Sequence, residues 1–227
     1  MCVDSIVRGA LVTLNVAVLT SHQGSNLRAL RTASDEEGAG FDIVLAICNN
    51  SGAPALAFAK AAGIPALHLS RKTHPEVGAL DAAMCSALED AGVGLIVTAG
   101  YLRKLESRTL ARFDGRIINV HPAPLPEFGG KGMFGSAVHE AILASGVRVS
   151  GPTIHVVNAE YDAGPVIAHA DVPVLAEDTV DSLAARVLEM EHRLLPAVVA
   201  RIAAGEPFSF QDPWSLQETT FHATRSR

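Results

Sequence analysis

Two side chains able to do acid–base and oxyanion chemistry sit two residues apart, Asn119 and His121, at the end of the apolar run Ile117-Ile118. Residues i and i+2 of a strand project from the same face, so the amide and the imidazole converge on one small volume. Pro122, Pro124 and Pro126 follow at once. Proline has no N–H for a ladder, so the strand ends at this pair. A neutral amide donor beside a titratable imidazole suits a reaction that builds an oxyanion and moves a proton. The bland alternative is a capping asparagine and a core histidine. The shared face and the strand-end position, where ligands collect in α/β sheets, favour the functional reading.

A third group belongs with these if the fold brings it near. Asp162 lies in the turn Tyr161-Asp162-Ala163-Gly164, where Asp-Ala-Gly is also ordinary turn chemistry. A carboxylate next to His121 would orient the imidazole and fix its tautomer. Spacing alone does not say whether they meet. His155, one strand earlier, reads as structural. His139, His169 and His192 have no i, i+4 histidine or carboxylate cluster of metal-binding pattern.

Another candidate site opens the chain. Thr20-Ser21-His22-Gln23-Gly24-Ser25-Asn26 connects a first strand to a first helix. Backbone N–H groups at a helix N-terminus favour phosphate. The turn lacks both G-x-G-x-x-G and the P-loop lysine, which weakens dinucleotide and ATP readings. An ordinary turn capped by Ser25 or Asn26 remains the alternative.

The elements that must position these groups follow from the apolar pattern. Strands are expected at residues 14–19, 43–48, 66–69, 95–99 and 116–120, alternating with helices at 27–34, 53–62, 76–91 and 106–113. Short apolar strands alternating with helices imply a parallel sheet covered on both faces. Residues 128–135 (FGGKGMFG) hold four glycines and read as a mobile loop, followed by a helix at 137–145. Strands at 150–157 and 166–174 form a hairpin-like pair, then a long helix runs 180–204, bent near Pro196. The chain thus divides into an N-terminal extension (1–13), one domain (14–205) and an irregular tail (206–227).

Composition narrows the class. A chain of 227 residues with 48% hydrophobic content can fill a real core. Its formal charge of −6 argues against nucleic acid. Cys2, Cys48 and Cys85 form neither a zinc pattern nor a disulfide framework, which indicates a reducing cytoplasm. Residues 10–19 follow Arg8 and resemble the core of a signal peptide, but Asn15 interrupts them and no small-x-small site follows. They read as a buried first strand. No window reaches the length of a membrane span.

Taken together, these residues resemble the glycinamide ribonucleotide formyltransferase family, the folate-dependent enzymes of purine synthesis. The resemblance runs from Asn15 to Gly205. It rests on Gly24-Ser25-Asn26, on Ala99-Gly100-Tyr101-Leu102-Arg103-Lys104-Leu105, on Asn119-x-His121-Pro122 with Leu125-Pro126, on Tyr161-Asp162-Ala163-Gly164-Pro165, and on Glu191-His192 with Pro196. It implies a Rossmann-like, doubly wound, mostly parallel α/β sheet with a C-terminal antiparallel strand pair and long helix.

The resemblance also implies an activity: transfer of a formyl group from 10-formyltetrahydrofolate to the amine of glycinamide ribonucleotide. Asn119, His121 (protonated) and Asp162 would be catalytic. Gly24, Ser25 and Asn26 would hold the substrate phosphate, and Glu191 its ribose. Leu102, Arg103, Lys104 and Leu105, with Asn119, would line the folate pocket. No metal is implied, and the expected partners are small molecules, with no nucleic acid or membrane, for a cytoplasmic monomer or homodimer.

The chain departs from the commoner family pattern at His22, where glycine is usual, and at Leu188, where a polar residue often helps bind the nucleotide. The loop 129–135 is long, so His139 is only a candidate for the histidine usual beyond Leu-Pro. No basic residue can be placed between Arg71 and Leu80 for the role one has in many members. The alternatives are an N-formyltransferase for another amine, a formyltetrahydrofolate deformylase, whose family normally carries a regulatory domain ahead of the first strand, and a non-catalytic nucleotide-binding module.

Overall fold

The computed structural model describes residues 13–207 and 209–216. Its first half alternates strand and helix: β1 (Leu14–Thr20), α1 (Ser25–Ser34), β2 (Phe41–Cys48), α2 (Pro54–Ala61), β3 (Ala66–His68), α3 (Ala79–Asp90), β4 (Leu95–Ala99), α4 (Ser107–Arg112) and β5 (Ile117–His121). The second half holds α5 (Ser136–Ser145), β6 (Val149–Ser150), β7 (Thr153–Val156), β8 (Val166–Ala170), β9 (Val172–Pro173), α6 (Val180–Ala203) and β10 (Trp214–Leu216).

The main sheet has eight strands in the order β10-β8-β7-β5-β4-β1-β2-β3. From β3 to β5 all neighbours are parallel, and β7 and β8 then join antiparallel. The chain winds outward in opposite directions from β1 and β4, so a crevice opens beyond their carboxyl ends. Side chains alternate between two cores, as a strand buried on both faces requires. Val16 and Val18 pack on the side of α1, α2, α5 and α6, whereas Ala17 and Leu19 pack on the side of α3 and α4.

Three expectations need correction. Within the tail from residue 206, expected to be irregular, Trp214–Leu216 adds a parallel edge strand to β8, with the Trp214 ring stacked 3.8 Å from the Arg201 guanidinium. The stretches expected as two long strands, 150–157 and 166–174, are each broken, and β6 and β9 form a separate two-stranded sheet. At Gly151 (φ 133°) an added Cβ would lie 1.9 Å from the Ala170 carbonyl oxygen, so the break falls where the two segments approach too closely for a side chain. The third correction is to the helix expected from residue 76, which begins at Ala79 after Gly78 takes a left-handed conformation. The long helix α6 runs without interruption through Pro196. The expected N-terminal extension, apart from Thr13, lies outside the described residues, as do 217–227. Among those described, no helix is long and apolar enough to cross a membrane.

Candidate active site

The end of β5 lies between β4 and β7, and its register sets the chemistry. Thr98 of β4 and His155 of β7 both stand opposite Asn119. The three side chains form a polar row on one face, and hydrogen bonds link them. The Asn119 carbonyl oxygen accepts from Thr98 Oγ1 at 2.8 Å. Its amide Nδ2 lies 3.0 Å from His155 Nε2, and His155 Nδ1 lies 3.0 Å from the Val156 carbonyl. One tautomer satisfies both contacts: Nδ1–H donates to Val156 and Nε2 accepts from Asn119. Asn119 is thereby fixed with one amide hydrogen left over.

His121, two residues on, is buried, with Nε2 2.8 Å from the Phe128 carbonyl. Nε2 must donate there, so in the neutral ring Nδ1 carries the lone pair. Nδ1 faces Asp162 Oδ2 at 3.8 Å, and Asp162 Oδ1 lies 3.6 Å from His155 Nε2. Both are ion-pair separations, longer than a hydrogen bond. Burial pushes His121 below the usual histidine range, although Asp162 and the Phe128 carbonyl pull it up. The lowered value favours a neutral ring in the free protein, whereas the protonated His121 expected above belongs to the reacting complex. Burial alone would raise Asp162, but His155, the Gly130 N–H at 2.9 Å and His121 hold it below the ordinary carboxylate range. The two rings act through their protonated forms at the acid pH where a carboxylate titrates.

Asp162 reaches this place by an unusual backbone. Its φ of 51° makes it the one non-glycine residue with positive φ among those described, a conformation that surrounding contacts must enforce. Gly164 makes the turn possible, since a Cβ there would lie 1.7 Å from the Val156 carbonyl oxygen.

Two cavities meet at these groups. The larger, about 790 Å³, is lined by the turn before α1 and by the loop 130–135. Gly24 adopts a left-handed conformation (φ 69°), and a Cβ there would crowd the Ala55 Cβ at 2.7 Å. Ser25, Asn26, Leu102 and Leu188 line this cavity, and so does Glu191. Asn26 and Glu191, 165 residues apart, are joined by a buried 2.6 Å bond from Nδ2 to Oε2. The Asn26 Oδ1 atom is buried without a partner. Burial pushes the Glu191 carboxyl up to about 7 against the opposing pull of Asn26. The smaller cavity, about 90 Å³, is lined by Arg103, Lys104 and Leu105. Lys104 Nζ sits 5.5 Å above the Tyr161 ring. Asn119, Asp162, Tyr101 and Tyr161 line both cavities.

Most expected site residues therefore gather at the crevice, with two refinements. The Leu102 N–H is already held by Ser21 Oγ at 2.9 Å. His139 is buried in α5, off the cavity walls, with Nδ1 unpartnered. Thr98 and His155 were missed as orienting groups. Only cross-strand register with Asn119 reveals them, and that register is not written in either segment. Among the described residues no cluster of three metal-ligating side chains occurs.

A switch-point crevice where an amide, an imidazole and a carboxylate converge between two cavities defines an α/β group-transfer site. Residues 14–199 match the formyl transferase family, and the chain belongs to it. It is 41% identical over 188 residues to the Arabidopsis thaliana phosphoribosylglycinamide formyltransferase, chloroplastic, covering 82% of this chain and 64% of that protein. The Haemophilus influenzae phosphoribosylglycinamide formyltransferase is 34% identical over 190 residues, 84% of this chain and 87% of the relative. The chain thus spans under two thirds of the plant relative's length but most of the bacterial one's. The crystal structure of glycinamide ribonucleotide transformylase 1 from Symbiobacterium toebii superposes with a TM-score of 0.79 at 37% identity, covering 85% of this chain and 89% of that one.

Proposed function

We propose that the protein transfers a formyl group from 10-formyltetrahydrofolate to the primary amine of glycinamide ribonucleotide, a step of purine biosynthesis. The observation that carries this reading is the pair of cavities sharing Asn119 and Asp162. The folate lies against residues 101–105, from the larger cavity into the smaller one. The ribonucleotide lies in the larger cavity, with its phosphate at the N-terminus of α1 and its ribose on Glu191. The activities for which the relatives and solved neighbours are named support the same assignment.

The geometry gives each group a task. The neutral amine attacks the formyl carbon, and the carbonyl oxygen takes the displaced electron pair. The free Nδ2 hydrogen of Asn119 donates to that oxyanion, since Thr98 and His155 hold the amide in place. Removing one such donor typically costs ~3–4 kcal/mol of barrier. His121 Nδ1, unprotonated in the free protein, takes the proton that the amine sheds. The imidazolium so formed is stabilised by Asp162, whose low pKa keeps it ionised. The proton then passes to N10 of the folate as the C–N10 bond breaks, giving the formamide and tetrahydrofolate.

Mixing purified protein with 10-formyltetrahydrofolate and a panel of amines tests the proposal, reading tetrahydrofolate formation and amine formylation together. Glycinamide ribonucleotide should give the highest kcat/KM. A higher value for an unphosphorylated amine would replace this acceptor, and formate without any formylated amine would make the protein a deformylase.

A further inference from the structure

The larger cavity raises a question of charge. A phosphate monoester carries close to two negative charges at neutral pH. The macrodipole of α1 supplies only about half a positive charge, and Glu191 on the same wall works against it when ionised. No basic residue from the segment 71–80 lines the cavity, and Leu188 adds an apolar side chain to it. Arg28, one turn into α1, is committed elsewhere: it donates to the Gln23 carbonyl at 2.7 Å and stacks 4.6 Å over Phe58. Among the described residues, Lys131 is the one lysine or arginine on the cavity wall, and no ion pair or hydrogen bond engages its ammonium.

The loop is built to hold it there. Gly130 (φ 101°) and Gly132 (φ 96°) flank Lys131, and a Cβ at either would meet nothing within 4 Å. These glycines therefore serve the backbone conformation rather than a tight fit. The root of the loop is fixed by the bond from the Gly130 N–H to Asp162. Lys131 thus lines the same cavity as the α1 turn and as Asn26, whose Oδ1 is buried and unpartnered. That orphan acceptor marks where a donor of the ligand, a hydroxyl or amine rather than its phosphate, would complete this wall.

We infer that Lys131 is the cation that recognises the acceptor's phosphate and sets the preference for a phosphorylated over an unphosphorylated amine. This rests on the assignment of the larger cavity to the acceptor. Because Gly130 also holds Asp162, a phosphate gripped by Lys131 steadies the carboxylate that supports His121.

The test compares glycinamide ribonucleotide with its riboside, which lacks the phosphate, in wild type, Lys131→Met and Lys131→Arg. The readout is the ratio of kcat/KM for the two acceptors, which is insensitive to the fraction of folded enzyme. In Lys131→Met the ratio should fall about tenfold to a hundredfold, as expected for loss of one charge-assisted bond. Lys131→Arg should restore most of it. An unchanged ratio in Lys131→Met overturns the inference, even if both activities drop. Inorganic phosphate binding, measured by calorimetry on the same proteins, gives an arm independent of turnover. If the wild type formylates neither acceptor, the proposed function falls, and equal phosphate affinity in wild type and Lys131→Met would overturn the role of Lys131 as well.

Discussion

Glu191→Gln should stabilise the free protein at alkaline pH while weakening its hold on the acceptor. Glu191 is only 7% exposed, and burial pushes its carboxyl from the ordinary 4.5 up to about 7. An acid whose folded pKa lies above its unfolded value binds its proton more tightly in the native state. It favours folding most below 4.5, and that advantage is lost as pH rises toward 7. The interval corresponds to about 3 kcal/mol, of which about 2–3 kcal/mol disappears between pH 5 and pH 8. Glutamine keeps the shape and an acceptor for Asn26 Nδ2, and carries no ionisable proton. Its Nε2 also offers a donor of the kind that Asn26 Oδ1 lacks.

Urea unfolding of both proteins at several pH values isolates the effect, because every other titrating group cancels in the difference. The variant's relative stability should grow from pH 5 to pH 8 by about 2–3 kcal/mol, or about 5–10 °C in Tm for a domain of this size. The KM for glycinamide ribonucleotide should rise, since the ribose loses its carboxylate. A stability difference that stays flat with pH would refute the reasoning, showing that water or relaxation already solvates the buried carboxylate.

Four further outcomes follow from the site. His121→Ala and Asp162→Asn should each lower kcat by about two orders of magnitude or more with the fold retained by circular dichroism, and near-wild-type kcat in Asp162→Asn would remove the imidazolium-stabilising role. In the wild type, kcat/KM should fall on the acid side at a pH below the usual histidine value, because His121 must be neutral to take the proton and burial lowers its pKa; a limb above pH 7 would contradict that. Asn26→Ala should raise the acceptor KM more than the folate KM, and folate binding measured by fluorescence would expose a reversed assignment. Gly130→Ala with Gly132→Ala should disturb the loop, since both φ values are positive, and the fraction of formyl released as formate should rise if that loop excludes water; an unchanged ratio of formate to formylated amine would leave the loop a plain connector.

Which parts of the site the sequence discloses depends on distance along the chain. Asn119 and His121 are legible because a strand repeats every two residues, so their shared face follows from spacing alone. The parallel sheet is legible for a similar reason: apolar runs of strand length alternate with helical patterns, and short connections between them admit few topologies. Gly24 and Gly164 are recognisable as turn residues, although the close contacts that exclude a side chain there belong to distant segments.

The remaining features arise only when separate segments pack. Thr98 and His155 orient Asn119 through registers between β4, β5 and β7, which no single strand encodes. Asp162 meets His121 because its turn folds back over the end of β5. Asn26 and Glu191 become one buried pair across 165 residues, and the dry surroundings that lift the Glu191 pKa exist only once α1 and α6 have packed. The neutral state of His121 has the same origin. Residue type and local periodicity fix which groups are available and which way they point. Desolvation and cross-strand register are properties of assembled neighbours, and they decide the charge each group carries and the partner it holds.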